Sequence, residues 1–109
     1  MEKINNEEIN ELSSIEQSSN QLLNQRQSFQ SQLTETDSAL EEIENTDKAY
    51  KIIGHIMVLS EKDKLKEELK SKKDMLNLRI QSIQKQEERL KEKSNTLRKK
   101  VMKDLKKEE

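Results

Sequence analysis

Two long polar stretches, each with a sparse apolar stripe, flank one short block that is almost wholly apolar. In the first stretch the stripe runs Leu12, Ile15, Ser19, Leu22, Arg26, Phe29, Leu33, Thr36, Leu40 and Ile43, and its spacing alternates three and four. That repeat keeps one seam of a helix turned toward a partner helix. In the second stretch Leu69, Leu76, Ile83, Leu90 and Leu97 recur every seven residues, and Leu65 and Ile80 widen the stripe. The pattern predicts helices over about 5–44 and 61–107. Ser60 is the expected N-cap of the second helix, with Asp63 three residues on in the capping-box position. With no proline and one glycine, nothing in either stretch breaks a helix.

The apolar block, residues 49–60, reads Ala-Tyr-Lys-Ile-Ile-Gly-His-Ile-Met-Val-Leu-Ser. Gly54-His55 suits a two-residue type II′ turn, in which glycine takes the first, positive-φ position. The β-branched Ile52, Ile53, Ile56 and Val58 favour strand over a buried helical segment. Folding at this turn pairs Ile53 with Ile56, Ile52 with Met57, Lys51 with Val58 and Tyr50 with Leu59. Alternation puts Tyr50, Ile52, Met57 and Leu59 on one face and Lys51, Ile53, Ile56 and Val58 on the other. Both faces are mostly apolar and both edges are open. A lone hairpin is marginal in water, and open apolar edges recruit further strands. Oligomerisation through Tyr50, Ile52, Ile53, Gly54, Ile56, Met57, Val58 and Leu59 is the expectation.

The same fold axis serves the helices. It sets Leu40 against Leu69, Leu33 against Leu76 and Leu12 against Leu97, with Ile43 near Leu65 and Phe29 near Ile80. Agreement between strand register and helix register argues for an antiparallel coiled-coil hairpin. Arg26 and Ser19 fall at polar core positions facing Ile83 and Leu90. They either fix register or are tolerated in a thin seam.

Composition narrows the reading. Only 29% of the 109 residues are apolar and 39% are charged, which leaves too little for an ordinary compact core but enough for a narrow seam in one domain. Residues 1–46 carry two basic and ten acidic side chains, a net −8. Residues 47–109 carry nineteen basic and twelve acidic, a net +7, and the two sum to the chain's −1. Opposite charge on the two helices helps them choose each other. No apolar run approaches the ~20 residues that span a bilayer. The first residues lack the apolar segment of a secretory signal, and cysteine is absent. A soluble, cytoplasmic protein with no membrane partner is expected.

Candidate chemistry is sparse. His55 is the only histidine and sits in the turn, which excludes a histidine metal cluster. Tyr50 reads as a packing residue. Glu67, Glu68, Glu87 and Glu88 lie among lysines and read as weak surface i,i+4 partners. No glycine-rich phosphate loop exists. The basic run Arg98-Lys99-Lys100 with Lys103, Lys106 and Lys107 has no interleaved aromatic, so a nucleic-acid partner is not expected. The chain reads as no enzyme, with no cofactor.

Helix, compact β-hairpin, helix is the plan of prefoldin subunits. Tyr50-Lys51-x-x-Gly54-x-x-Met57-Val58 resembles that family's strand–turn–strand segment. Leu69-x6-Leu76-x-x-Arg79 and Gln86-Glu87-x-x-Leu90 resemble parts of its second helix. The resemblance covers nearly the whole chain, and the single hairpin is similar to the β class, since α-class subunits carry two. It implies an archaeal-type molecular chaperone, a hexamer of two α-class and four β-class chains joined through β-barrels. It also implies capture of non-native proteins without ATP and delivery to a group II chaperonin. Clients would bind at the coiled-coil ends, where Ile4, Ile9 and Leu12 lie beside Leu97, Val101, Met102 and Leu105; these residues either make such contacts or zip the ends together. After assembly, these ends should hold the accessible apolar residues. A structural coiled-coil tether that oligomerises through its hairpin is the competing function.

Overall fold

A computed structural model describes the backbone of residues 6–108 and the side chains of residues 6–106. The element order is α1 (Asn6–Glu44), β1 (Ala49–Ile53), β2 (Ile56–Ser60) and α2 (Lys62–Glu108). Helix, hairpin, helix is the order that the hydrophobic pattern predicts. Asn5, the expected start of the first helix, lies outside the described residues. The chain divides into two compact units. One comprises residues 27–81; the other joins the described residues up to Arg26 with those from Ser82 onward.

In the unit of residues 27–81, β1 and β2 form a two-stranded antiparallel sheet. Its register pairs Ala49 with Ser60, Tyr50 with Leu59, Lys51 with Val58, Ile52 with Met57 and Ile53 with Ile56. Gly54 has a φ of 61°, and no other described residue has a positive φ. A type I′ turn needs positive φ at both central residues, so a negative φ at His55 selects type II′. A Cβ at Gly54 would meet nothing within 4 Å, so backbone conformation alone demands glycine there.

The last turn of α1 carries no basic residue of its own and ends on Glu44. Asn45 and Thr46 donate their amides to the carbonyls of Glu42 and Ile43, which tightens the end into a 3₁₀ turn. The Thr46 hydroxyl also donates to the Glu42 carbonyl at 2.6 Å. The cations that a helix C-terminus favours come from α2: Lys62 donates to the Glu44 carbonyl at 3.3 Å, and Lys66 pairs with the Glu44 carboxylate.

Ser60 is not the N-cap of α2. It is the last residue of β2, and its backbone is committed to the ladder with Ala49. The Glu61 carbonyl accepts the first intrahelical bond, from Leu65 N–H at 3.0 Å, so Glu61 takes the cap position. Asp63, in the first turn, complements the positive end of the helix dipole.

The α1–α2 seam of this unit takes Phe29, Leu33, Thr36, Leu40 and Ile43 from α1, and Leu65, Leu69, Lys73, Leu76 and Ile80 from α2. All are buried or half-buried. Leu76, at 1% exposure, is the most enclosed large side chain. Thr36 is buried and donates its hydroxyl to the Gln32 carbonyl at 2.8 Å, so a polar side chain sits in the seam without an unmet donor. Lys73 pairs with Asp37 at 2.8 Å, and Arg79 lies 5.6 Å from the Phe29 ring centroid in a cation–π arrangement. Partners 44–66, 37–73 and 29–79 fall as α1 numbers drop and α2 numbers rise, which is antiparallel pairing.

The other unit continues the three–four spacing with a more polar composition. Its α1 positions are Glu8, Leu12, Ile15, Ser19, Leu22 and Arg26, and its α2 positions are Ile83, Glu87, Leu90, Ser94, Leu97, Val101 and Asp104. Again none is exposed. Glu11 pairs with Lys93 at 3.2 Å, and Glu8 with Lys100 at 2.8 Å, so the helices are antiparallel here too. Glu8 is itself buried, and its second carboxylate oxygen has no hydrogen-bond partner among the described residues.

Candidate assembly and client-binding surfaces

The hairpin exposes its apolar side chains. Tyr50, Ile52, Ile53, Ile56, Met57, Val58 and Leu59 all stand exposed, from 43% at Val58 to 68% at Ile52. The two faces differ. On one, Ala49 is buried, Ser60 is half-buried and Lys51 reaches Glu68 of α2 at 3.0 Å. That face leans toward its own helices and grows barer toward Ile53 and Ile56 at the turn. The other face carries Tyr50, Ile52, Met57 and Leu59, all more than half exposed. Leaving such side chains in water forfeits about 1.5–3 kcal/mol each relative to full burial. Two strands bury almost nothing between them, so these faces stay bare among the described residues.

The expected client-binding residues divide in two. Leu12, Leu97 and Val101 are half-buried members of the seam. Ile9, Met102 and Leu105 are exposed and lie outside it. Ile4 lies outside the described residues. Arg98, Lys99, Met102, Lys103 and Lys106 line an open groove of about 360 Å³ on α2.

Several sequence readings need correction. The ends are not alone in exposing apolar side chains: outside the hairpin, Met75 and Leu78 of α2 are exposed as well. Both fall off the three–four spacing, which is the signal that would have found them. Glu87 is not a surface carboxylate. It occupies a seam position, and the Arg26 Nε–H donates to its Oε1 at 2.6 Å. Arg26 was expected to face Ile83. Its long stem carries the guanidinium to that carboxylate. Glu68 pairs with Lys51, 17 residues away, rather than within its own helix. Glu67 and Glu88 are exposed, as is His55 in the turn.

Two ionisable groups are clearly shifted, and both belong to helix–helix pairs. The Glu44 carboxyl is held below its ordinary value by the hydrogen bond from Lys66 and by that ammonium's charge. The Lys100 ammonium is held above its ordinary value by its hydrogen bond to Glu8 and by that carboxylate's charge. Both are solvated, so they orient the pairing more than they stabilise it. Among the described residues no group of histidines or carboxylates is arranged to hold a metal ion, and no helix is long and apolar enough to cross a membrane. What the described side chains offer is contact: apolar hairpin faces in one unit and an apolar–basic helix surface in the other.

Comparison with known proteins places this architecture. A family model described as prefoldin subunit matches residues 6–108. The prefoldin subunit beta of Thermococcus onnurineus (strain NA1) is 35% identical over 96 residues, which cover 85% of this chain and 83% of that one. That of Pyrococcus furiosus is 36% identical, with 85% and 82% covered. That of Thermococcus kodakarensis is 38% identical over 92 residues, with 82% and 79% covered. The crystal structure of the prefoldin beta subunit from Thermococcus strain KS-1 superposes with a TM-score of 0.86 at 32% identity, covering 96% of this chain and 97% of that one. On a family match over residues 6–108 and relatives of this likeness, the chain belongs to the prefoldin subunit family of chaperones and resembles its β-class members.

Proposed function

We propose that this chain is the β-class subunit of a cytoplasmic hetero-oligomeric holdase. It acts as one domain over residues 1–109 and assembles with α-class prefoldin chains, two α with four β. It holds non-native proteins without ATP and passes them to a group II chaperonin. The observation that carries the reading is apolar surface outside the seam in both units. In one unit it is the hairpin set Tyr50, Ile52, Ile53, Ile56, Met57, Val58 and Leu59. In the other it is Ile9, Met102 and Leu105. The first set occupies both strands of the hairpin, which suits an assembly surface. Gly54 holds its turn. The second set is small and partly flexible, with Met102 central, which suits contact with many sequences. Leu12, Leu97 and Val101 support it from the seam. Weak contacts from several subunits add through high effective concentration.

The test is aggregation of an unfolded client in the presence of the chain assembled with an α-class partner, with and without Mg-ATP. Equal suppression in both conditions is expected. Replacing Ile9, Met102 and Leu105 with serine should remove suppression while the assembled mass persists. Assembly without any suppression by the parent protein favours a structural tether instead.

A further inference from the structure

In the unit formed by the two ends of the chain, some cations are used and some are not. Lys93 and Lys100 are paired to Glu11 and Glu8 across the seam. Arg98, Lys99, Lys103 and Lys106 make no ion pair among the described residues. They gather on one face of α2, at spacings of four and seven or eight that stack side chains along a helix. Between them lies Met102, 57% exposed, and together the five line the open groove of about 360 Å³. Among the described residues no carboxylate lines that groove. Four like charges within nine residues repel one another, and the α1 carboxylates Glu8 and Glu11 are engaged by Lys100 and Lys93 instead. The face therefore presents an apolar centre in a frame of unmatched positive charge.

We infer that this face binds segments of unfolded polypeptide that combine carboxylates with apolar side chains, so that client capture is selective for acidic amphipathic sequence. The inference rests on the holdase reading and adds a client class to it. An apolar client side chain covers Met102, and flanking Asp or Glu side chains meet Arg98, Lys99, Lys103 and Lys106. Charge complementarity of this kind sets preference and encounter rate more than total affinity. A nucleic acid fits less well, because the groove has no aromatic side chain on which a base stacks.

The experiment uses the assembled protein and two short fluorescent peptides with the same apolar residues, one carrying Asp and Glu and the other Lys and Arg. Binding is read by anisotropy at low and high salt. The acidic peptide should bind roughly tenfold more tightly at low salt, a preference that three or four exposed charge pairs supply, and high salt should erase it. Lys99→Gln with Lys103→Gln and Lys106→Gln should bring the two peptides level while leaving the assembled mass unchanged. Met102→Ser should weaken both peptides alike. Equal binding of the two peptides by the parent protein overturns the charge selectivity and leaves client capture standing. Binding of neither overturns both. An acidic peptide without apolar residues, or a single-stranded oligonucleotide, that binds as tightly as the amphipathic acidic peptide shows a plain polyanion site and also overturns the inference.

Discussion

Leu76 and Leu78 are the same residue type two positions apart on α2, yet one is 1% exposed and the other 67%. Two residues turn a helix by about 200°, so the pair tests which side of α2 is the seam. Leu76→Ala removes three carbons from full burial, worth about 2.4 kcal/mol at ~0.8 kcal/mol per methylene, and the cavity left behind adds to this. A two-helix seam collapses more readily than a globular core, so about 3 kcal/mol is expected. Leu78→Ala withdraws a side chain that keeps most of its surface in water. It should cost under about 1 kcal/mol, partly offset by alanine's better helix propensity. Urea unfolding followed by far-ultraviolet circular dichroism reads both. With a slope of about 1–3 kcal/mol per molar, Leu76→Ala should lower the midpoint by roughly 1–3 M and Leu78→Ala by a small fraction of that. The titration is run at several protein concentrations, because assembly adds a mass-action contribution to every midpoint. Equal shifts for the two variants at all concentrations would refute the seam assignment.

Ile56→Asp puts a charge into the hairpin surface that assembly is expected to cover, so sedimentation should show dissociation with most helical dichroism retained; an unchanged profile ends the assembly role of the hairpin. Arg26→Leu combined with Glu87→Leu should be neutral or stabilising by about 1 kcal/mol, since a partly buried pair gives back little of its desolvation cost, whereas either single change should destabilise. The Glu44 carboxyl is depressed, so the Lys66 pair contributes above the ordinary carboxyl value of 4.5 and is lost as pH falls through the lower folded value. The Lys100 ammonium is raised, so its Glu8 pair contributes below 10.5 and is lost as pH rises through the higher folded value. The Glu44→Gln deficit should therefore vanish in acid and the Lys100→Gln deficit in strong base, and a constant offset across pH would count against these pairings.

The fold was legible where one periodicity met one constraint. Gly54 fixed the turn, the turn fixed the strand register, and the same axis brought the apolar stripes into line. Each step needed only local backbone preference and alternation. The polar seam positions were harder. Glu8, Lys73, Glu87, Ser94 and Asp104 complete the three–four spacing, but charged and hydroxyl side chains give no hydrophobic signal. Only the spacing itself, carried through polar residues, places Glu87 opposite Arg26. Met75 and Leu78 were overlooked for the reverse reason: apolar residues off the stripe look like noise in a helix read for its stripe. The assignment of Ser60 to the cap failed because strand and helix compete for the same backbone groups, and the ladder with Ala49 takes them.

The polar seam of the end-bearing unit has a dynamic consequence. Between Phe29 and Ile43, α1 offers four apolar seam residues and Thr36. Between Glu8 and Arg26 it offers Leu12, Ile15 and Leu22 against Glu8, Ser19 and Arg26. Less apolar area per turn is withdrawn from water there, and the exposed Glu11–Lys93 pair adds little. Local opening should therefore cost less at the ends than around Leu76, and segments of low local stability are those that adapt to ligands. Opening would bare Leu12, Leu97 and Val101, which are half-buried at rest, and join them to Ile9, Met102 and Leu105 as client contacts. Hydrogen exchange on the assembled protein measures this directly. Amides of 9–22 and 90–104 should exchange at least tenfold faster than those of 33–43 and 69–80, and an unfolded client should slow the first set selectively. Uniform protection along both helices would mean that the ends do not open, and that clients meet only the side chains already exposed.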